Sequence, residues 1–289
     1  MTGFTLDHVG IAVPDLDAAA TQFRKLGFRL TPRGYHTLPV QQDGTRPKVG
    51  TGNHCAMLTQ GYIELIGITD PASPNIGRLL QALSRHAGLQ LVAFGTPDAQ
   101  ATASALQRLG IAAAAPRPLE RPIEEDGRAE LARFELVEFP SEILSEGHFF
   151  AIRHATPELL WKPALMRHEN GAVSLAAVTV AVADPADFAG RLGRLLTIEP
   201  DDRASLALAR GRVDAVDGGW LADRAFDAKA AVPFVAGISV GVADLDATAR
   251  ALAAGSVPFE RVRASIRVAP EHACGASIEF CQAAEGAHA

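Results

Sequence analysis

The stretch LDHVGIAVPDLDAAATQFRKLGF, residues 6–28, contains the pattern that decides the fold. Val9 and Ile11 alternate with His8 and Gly10, as in a strand that buries one of its two faces. The alternation puts the His8 imidazole on the face opposite the main apolar side chains. A histidine there is either a structural residue at a strand edge or a ligand for something bound to the sheet. Its role depends on how often the stretch recurs.

A helix is predicted directly after this strand. An aspartate follows the strand, where the free N–H groups of a helix need a side-chain acceptor. Leu16, Ala20 and Phe23 then recur at helical spacing, and Gly27 provides the stop. Strand, aspartate and helix together form a unit that can be searched for elsewhere in the chain.

The unit occurs four times. Residues 89–111, LQLVAFGTPDAQATASALQRLGI, match the first copy without a gap, and further copies start at Ala176 and Ala236. Each helix is followed by stretches that read as strands, so the chain is predicted to contain four β-α-β-β-β units. One such unit would leave an apolar sheet face exposed, and we therefore expect the units to pair.

The stretch PALMRHENGAVS, between the second and third units, is the best candidate for a domain boundary. We predict a first domain at residues 1–165, with modules 1–88 and 89–165, and a shorter second domain at residues 172–289, with modules 172–233 and 234–289.

The composition describes an ordinary globular protein and excludes two classes of partner. Of its 289 residues, 48% are hydrophobic and 21% charged, and the net charge is −6 at pH 7. Nucleic-acid binding would need a basic surface, and no apolar run approaches the roughly 20 residues that span a bilayer. Three cysteines without metal-finger spacing indicate reduced thiols, and no signal peptide is visible. We expect a cytoplasmic monomer or homodimer with a small-molecule partner and no nucleic-acid or membrane partner.

The four units resemble those of the vicinal oxygen chelate superfamily, which includes glyoxalase I, extradiol dioxygenases and bleomycin-resistance proteins. The resemblance rests on LDHVGIAVPDLD and, in the first half, on GTGNHCAML, GYIELI and FFAIRHATPELLW, which are similar to the glyoxalase-like subgroup. It covers nearly the whole chain. It implies an α+β fold in which four βαβββ modules pair into two cup-shaped mixed sheets.

The resemblance also implies a divalent metal ion. In the superfamily, ligands come from the first and fourth strands of the units, and His8 and Glu64 match these positions. Imidazole and carboxylate suit Zn²⁺, Fe²⁺, Mn²⁺, Ni²⁺ or Co²⁺. Such a metal would polarise an oxygen of the substrate as a Lewis acid.

Two of the four expected ligand positions are apolar in the first half. Leu91 aligns with His8 and Phe150 aligns with Glu64, so we expect both side chains to contact a substrate. In the second half Ala177 and Gly237 stand at the histidine position. Without imidazoles there, we expect the second half to be structural or to cover the substrate.

A third metal ligand could come from His54 or His154, since a catalytic metal usually has three protein ligands. If the turn before strand YIELI has three residues, Ala56 lies opposite Glu64 and His54 is on the cup face. With a two-residue turn, Met57 faces Glu64 and His54 points away. His154 is four residues after Phe150 and therefore on the same face of its strand. We expect its side chain to point into the cup as a general base, a substrate contact or a displaced ligand.

Arginines of the second unit could bind an anionic substrate. Arg117, Arg121 and Arg133 can each offer bidentate contacts, although exposed arginines are the commoner case. We choose Arg133, with Met57, as a substrate contact.

Two functions are consistent with these residues. The first is a metal-dependent lyase or isomerase in which His8 and Glu64, with His54 or His154, handle a small oxygenated substrate, and Glu64 or His154 acts as the base. The second is a metal-free binding protein of the resistance type, favoured by Leu91 and Phe150. A dioxygenase ranks lower because it needs two histidines and a carboxylate around one iron.

Overall fold

The computed structural model describes residues 3–37, 41, 43–112, 115–125, 128–224 and 232–284. Within them the chain folds into two mixed sheets of eight and seven strands, with six helices. The expected α+β architecture of paired βαβββ units is confirmed.

The first sheet contains the strands of the first two units. They are β1 (Thr5–Val13), β2 (Gly34–Thr37), β3 (Lys48–Met57), β4 (Tyr62–Ile68), β5 (Gly88–Gly95), β6 (Arg117–Glu125), β7 (Arg128–Glu138) and β8 (His148–His154). Their order across the sheet is β2-β3-β4-β1-β5-β8-β7-β6. The two units therefore meet at an antiparallel pair, β1 and β5, and each first strand lies parallel to the last strand of its unit.

The second sheet repeats this plan with one strand fewer. Its strands are β9 (Ala172–Ala181), β10 (Ser205–Ala207), β11 (Arg212–Val216), β12 (Phe234–Val242), β13 (Glu260–Val262), β14 (Ser265–Val268) and β15 (Ser277–Gln282). The order is β10-β11-β9-β12-β15-β14-β13. In the described residues the third unit has only a hairpin after its helix, and not the three strands that the β-α-β-β-β pattern predicts.

Four of the six helices belong to the repeat. The helices are α1 (Leu16–Lys25), α2 (Gly77–Arg85), α3 (Ala99–Arg108), α4 (Pro185–Leu196), α5 (Gly218–Ala222) and α6 (Leu245–Ala254). An aspartate side chain accepts hydrogen bonds from first-turn N–H groups of each repeat helix. These aspartates are Asp15, Asp98, Asp184 and Asp244. The predicted caps are therefore present in all four units.

The helix-bearing faces of both sheets share one core. It contains Val9 and Ile11 of β1 and Val178 of β9, together with apolar residues of α1, α3, α4 and α6. The opposite, concave face of each sheet carries a separate apolar cluster. The molecule thus has two cups, one on each side of a common core.

Backbone hydrogen bonds also join the two halves. The amide of Leu6 donates to the carbonyl of Arg210 at 2.8 Å, and the amide of Leu175 donates to the carbonyl of Gln60 at 2.9 Å. Asn170, in the predicted boundary stretch, is completely buried. Its amide donates to the carbonyl of Leu26, so this connection is packed into the structure.

Among the described residues, no helix is both long enough and apolar enough to cross a membrane.

Candidate functional site

The concave face of the first sheet collects the ionisable groups that the motifs indicate. His8 lies on this face, stacked on the ring of Tyr62 at 4.2 Å between centroids and edge-on to Phe150 at 5.8 Å. A register shift between Leu6 and His8 gives β1 a bulge. Because the bulge inserts one extra residue, Asp7 turns its carboxylate towards the same side as His8, against simple alternation.

The Asp7 carboxylate lies between two imidazoles. Its oxygens are 2.7 Å from Nδ1 of His8 and 3.0 Å from Nε2 of His154. Burial alone would raise the pKa of Asp7, but the charge and hydrogen bond of His154 and then those of His8 outweigh it, so the pKa falls below its usual range. Asp7 is therefore ionised at neutral pH.

An ionised carboxylate fixes the tautomers of both imidazoles. Because Asp7 can only accept, Nδ1 of His8 and Nε2 of His154 must carry the hydrogens. In neutral His8 the lone pair is then on Nε2, the atom a general base would use. Nδ1 of His154 is buried and has no hydrogen-bond partner within the described part of the chain.

Glu64 lies on the same face of the sheet. It is the next side chain on that face of β4 after Tyr62, which pairs with His8. The Asn53 amide donates to Oε1 of Glu64, and Nε2 of His36 is 3.6 Å from the same oxygen. Burial raises the pKa of Glu64, but the hydrogen bond and charge of His36, the charge of His8 and the Asn53 bond lower it to about 2. The carboxylate is held as an anion.

The register of β3 decides the position of His54. Cys55 pairs directly with Glu64, and Met57 pairs with Tyr62. Side chains paired across strands share a face, so Met57 lies in the cup and His54 points away from it. Nδ1 of His54 bonds the carbonyl of Thr31 at 2.8 Å. Neither of the two turns considered from the sequence is found, because the connection has four residues, 58–61, and Cys55 instead of Ala56 or Met57 lies opposite Glu64.

The remaining cup lining is aromatic and aliphatic. Phe150 and Met57 are buried in the concave cluster, and Leu91 is partly buried against it. His154 packs against Trp161 with 4.9 Å between ring centroids. The segment from the 3₁₀ turn Pro157–Leu159 to Met166 covers this end of the cup.

That covering segment is tied to the strands by a side chain. Nε1 of Trp161 donates to the carbonyl of Leu58 at 3.1 Å, and Leu160 and Met166 pack against the concave cluster. His8 is only 4% exposed beneath it. At the other end of the cup, the His36 side chain is 31% exposed, so this end is the more open to solvent.

The cup contains a different arginine from the expected one. Arg133 faces outwards, where its Nε donates to Glu120 at 3.3 Å. Arg121 faces inwards: burial lowers its pKa, but the neighbouring Cys55, Tyr62 and Glu64 raise it above the usual value. The sequence held a signal for this, since Arg121 is two residues from both Leu119 and Ile123 and therefore shares their face of the strand.

The Cys55 thiol next to Arg121 is not activated. Burial, followed by the charge of Glu64, raises the pKa of Cys55 to about 12, against the lowering effect of Arg121. It therefore stays a neutral thiol, which is a poor nucleophile.

The residues present do not fit the metal that the resemblance implies. The Nδ1 bond from His8 to Asp7 is the support that a metal-binding histidine usually has, and Glu64 could supply a second ligand. No group of three His, Cys, Asp or Glu side chains with the arrangement of a metal site is found in the described ranges. His54 points away, and the Nε2 of His154 bonds Asp7, so that only its buried Nδ1 is left as a ligand atom. A catalytic metal with three protein ligands has no place in this arrangement.

Solved structures share the fold at low sequence identity. A hypothetical protein from Staphylococcus aureus matches at 15% identity with a TM-score of 0.67, covering 97% of this chain and all of the other. A mutant 4-hydroxymandelate synthase from Streptomyces coelicolor matches at 13% identity with a TM-score of 0.58, covering 100% of this chain and 96% of that one.

A third structure is similar over part of its length. A fusion protein of a xylose isomerase-like TIM barrel and 4-hydroxyphenylpyruvate dioxygenase matches at 13% identity with a TM-score of 0.57. The alignment covers 99% of this chain and 51% of the fusion protein. At these identities the three similarities establish the fold alone.

Family comparison identifies the chain more directly. No protein of established function matches the sequence significantly. The family model of the glyoxalase-like domain matches residues 6–196, which include the first sheet except for Thr5 and extend through α4. Together with the four paired units, this match shows that the chain belongs to the glyoxalase-like domain family of the vicinal oxygen chelate superfamily.

Proposed function

We propose that the cup of the first sheet transfers a proton on a small oxygenated anion, as an isomerase or lyase, without a resident metal. The single observation that carries this proposal is the ionised Asp7 between the imidazoles of His8 and His154. In this arrangement Nε2 is the atom of His8 that can take a proton from a substrate, and Asp7 can stabilise the imidazolium that then forms.

Arg121 supplies the positive charge that an anionic substrate needs. Its guanidinium lies near Glu64 and Tyr62 on the concave face, and a guanidinium matches the geometry of a carboxylate or an enolate oxygen. When a proton leaves the carbon next to a carbonyl, negative charge develops on the oxygen. Arg121 would stabilise that charge while His8 holds the proton.

Glu64 has a positioning role in this proposal. With a pKa of about 2 it cannot donate a proton near neutral pH. It anchors His36 and Asn53 at the accessible end of the cup, and its charge balances that of Arg121. A change at Glu64 should therefore alter substrate affinity more than the rate of proton transfer.

Proton transfer can be tested without knowing the natural substrate. The protein is incubated in D₂O with small 2-oxo and 2-hydroxy acids, and loss of the C–H signal next to the carbonyl or hydroxyl is followed by NMR. We expect catalysed exchange with at least one acid, reduced about 100-fold or more in His8→Gln. His272→Gln, which changes a histidine of the other half, is the matched control. Exchange at the uncatalysed rate for every acid would contradict the proposal.

Metal content provides a second test. Protein purified without a histidine tag should contain far less than one transition metal per chain, and treatment with EDTA should leave exchange unchanged. Stoichiometric metal that is lost in His8→Ala would instead support a Lewis-acid mechanism that uses His8 and Glu64.

A metal-free binding protein is the second candidate, because Leu91 and Phe150 stand at the two apolar ligand positions. In the same NMR experiment a binding protein would shift the signals of the acid, or its own signals, without any C–H exchange. An extradiol dioxygenase is not proposed, because the two histidines around Asp7 bond its carboxylate and the described residues contain no group of three side chains arranged to hold an iron.

A further inference from the structure

The concave face of the second sheet contains an open cavity of about 180 Å³. The expectation from the sequence was that this half is structural or covers a substrate. Three hydroxyl side chains line the cavity, from Thr179, Ser239 and Ser277, and four charged ones, from Arg212, Asp214, Arg224 and Glu279. Pockets for drug-sized ligands measure roughly 300–1,000 Å³, so this cavity suits a molecule of a few carbon atoms.

Arg224 is the central cation of the cavity. Its guanidinium carbon lies 4.0 Å above the centre of the Trp220 ring, and its Nη2 is 3.5 Å from an oxygen of Glu279. Nε of Arg224 is buried and has no hydrogen-bond partner among the described residues. A buried donor without a partner is costly unless a bound group supplies the acceptor.

Gly237 makes room for this arrangement. It occupies the position that His8 has in the first unit, and a Cβ atom there would lie 2.9 Å from the Trp220 ring. The glycine therefore lets the indole lie directly against β12, where it supports the Arg224 guanidinium. Where the first sheet has the imidazole of His8, the second sheet has the Trp220 ring with the Arg224 guanidinium above it.

The two acids remain at the positions equivalent to Glu64. Glu279 pairs with Ser239, and Asp214 pairs with Thr179, as Glu64 pairs with Gly10 in the first sheet. Asp214 accepts from Nε of Arg212 at 2.9 Å. Both carboxylates thus face the cavity next to an arginine.

The charges of the lining select the ligand class. Two arginines and two carboxylates line the cavity, and Arg267, which pairs with Glu279 across the strands, adds positive charge next to Arg224. The lining therefore suits one carboxylate better than a phosphate with two negative charges. A carboxylate can accept from the Arg224 guanidinium, while hydroxyl or ammonium groups on the same molecule donate to Asp214 or Glu279. The serine and threonine hydroxyls can serve either end.

We propose that this second cup binds a small carboxylic acid that carries hydroxyl or amino groups, with Arg224 and Arg212 holding the carboxylate and Asp214 and Glu279 accepting from the donors. The site is separate from the first cup, since the shared core lies between the two concave faces. The proposal does not depend on proton transfer at His8.

Three molecules with the same three-carbon skeleton test the proposal: glycerate, serine and glycerol. Binding to the full-length chain is measured by isothermal titration calorimetry. We expect saturable binding of glycerate, serine or both, and none of glycerol, which lacks the carboxylate. Which of the two acids binds tells whether the donors are hydroxyl or ammonium groups. Saturable binding of neither acid, or binding of glycerol equal to theirs, would overturn the proposal.

Variants assign the binding to this cup. Arg224→Gln and Arg212→Gln should each weaken binding at least tenfold, whereas Arg250→Gln, at an arginine that is 72% exposed on α6, should leave it unchanged. Arg212 is half exposed, so its variant should fold even if Arg224→Gln does not. Equal affinity in Arg212→Gln and the wild type would contradict the assignment. Because glycerate is also a 2-hydroxy acid, binding that survives both Arg224→Gln and Arg212→Gln would belong to the first cup and would overturn the assignment, whatever the outcome of the exchange experiment.

Discussion

Single residues on the first concave face hold their charges by pairing with one another. Asp7 and Glu64 are both buried carboxylates whose pKa is lowered by neighbouring histidines. Removing one partner of a buried pair leaves the other charge or hydrogen-bonding group without compensation, and this strongly destabilises the folded state. Stability and chemistry therefore depend on the same few side chains here.

Asp7→Asn should destabilise the protein by about 3 kcal/mol, because both imidazoles lose their anionic acceptor. Urea unfolding at pH 7 measures the change. The matched control is Asp202→Asn, at an exposed aspartate, which should stay within about 0.5 kcal/mol of the wild type. A loss at Asp7 as small as the control's would show that the two histidines do not depend on this carboxylate.

Glu64→Gln tests the lowered pKa of its carboxyl group. The pKa falls from an ordinary 4.5 to about 2 on folding, so the ionised form stabilises the native state above pH 4.5, and this stabilisation is lost as pH falls towards 2. The difference in free energy of unfolding between wild type and Glu64→Gln should therefore be largest near pH 6 and shrink by pH 3. A difference that is constant across this range would mean that the pKa is not lowered.

At this scale the sequence predicts some residues and misses others for identifiable reasons. The repeated motif places His8 and Glu64 on the concave face, as the geometry shows. Strict alternation predicts that Asp7 faces away from His8. The bulge in β1 turns it to the same face, and a bulge cannot be read from an alternating pattern. The direction of His54 depended on a one-residue choice of turn, which the pattern left open.

At the scale of elements, the segments that pack against each concave face determine whether that cup is covered or open. In the first cup the segment Pro157–Met166 lies over the aromatic end and buries His154 under Trp161. In the second cup the indole of Trp220 lies against β12 instead, and a cavity remains. Two cups with the same strand plan therefore differ through what packs into them.

Trp161→Ala should loosen the segment that covers the first cup. Loss of the indole packing and of its hydrogen bond to Leu58 should cost roughly 3 kcal/mol and make His154 more reactive towards diethyl pyrocarbonate. Leu80→Ala, at an exposed leucine of α2, is the control that should change neither quantity. Unchanged reactivity of His154 in Trp161→Ala would show that the segment does not shield it.

The whole molecule is organised around one core that both sheets share. Residues of β1 and β9 lie in the same cluster, and backbone hydrogen bonds join Leu6 to Arg210 and Gln60 to Leu175. The sequence predicts four units and their pairing, because each has an uncovered apolar face. It does not predict that both pairs bury their helical faces together, since alternation identifies a buried face without identifying its partner.

Residues 1–165, the predicted first domain, should not fold stably alone. The fragment would expose the core residues that pack against β9 and α4, and Leu6 would lose its backbone acceptor. We expect the full chain to unfold in one calorimetric transition, and the fragment to lack dispersed amide signals in NMR spectra. Two separate transitions, or a well-dispersed spectrum of the fragment, would show that the halves are independent.

A core placed between two cups that face away from each other has an evolutionary consequence. Substitutions that reshape one binding surface are insulated from the other by buried helices, so each can acquire its own preference while the common scaffold is retained. A lineage carrying this chain could thus exchange the ligand of one half and keep the activity of the other half intact.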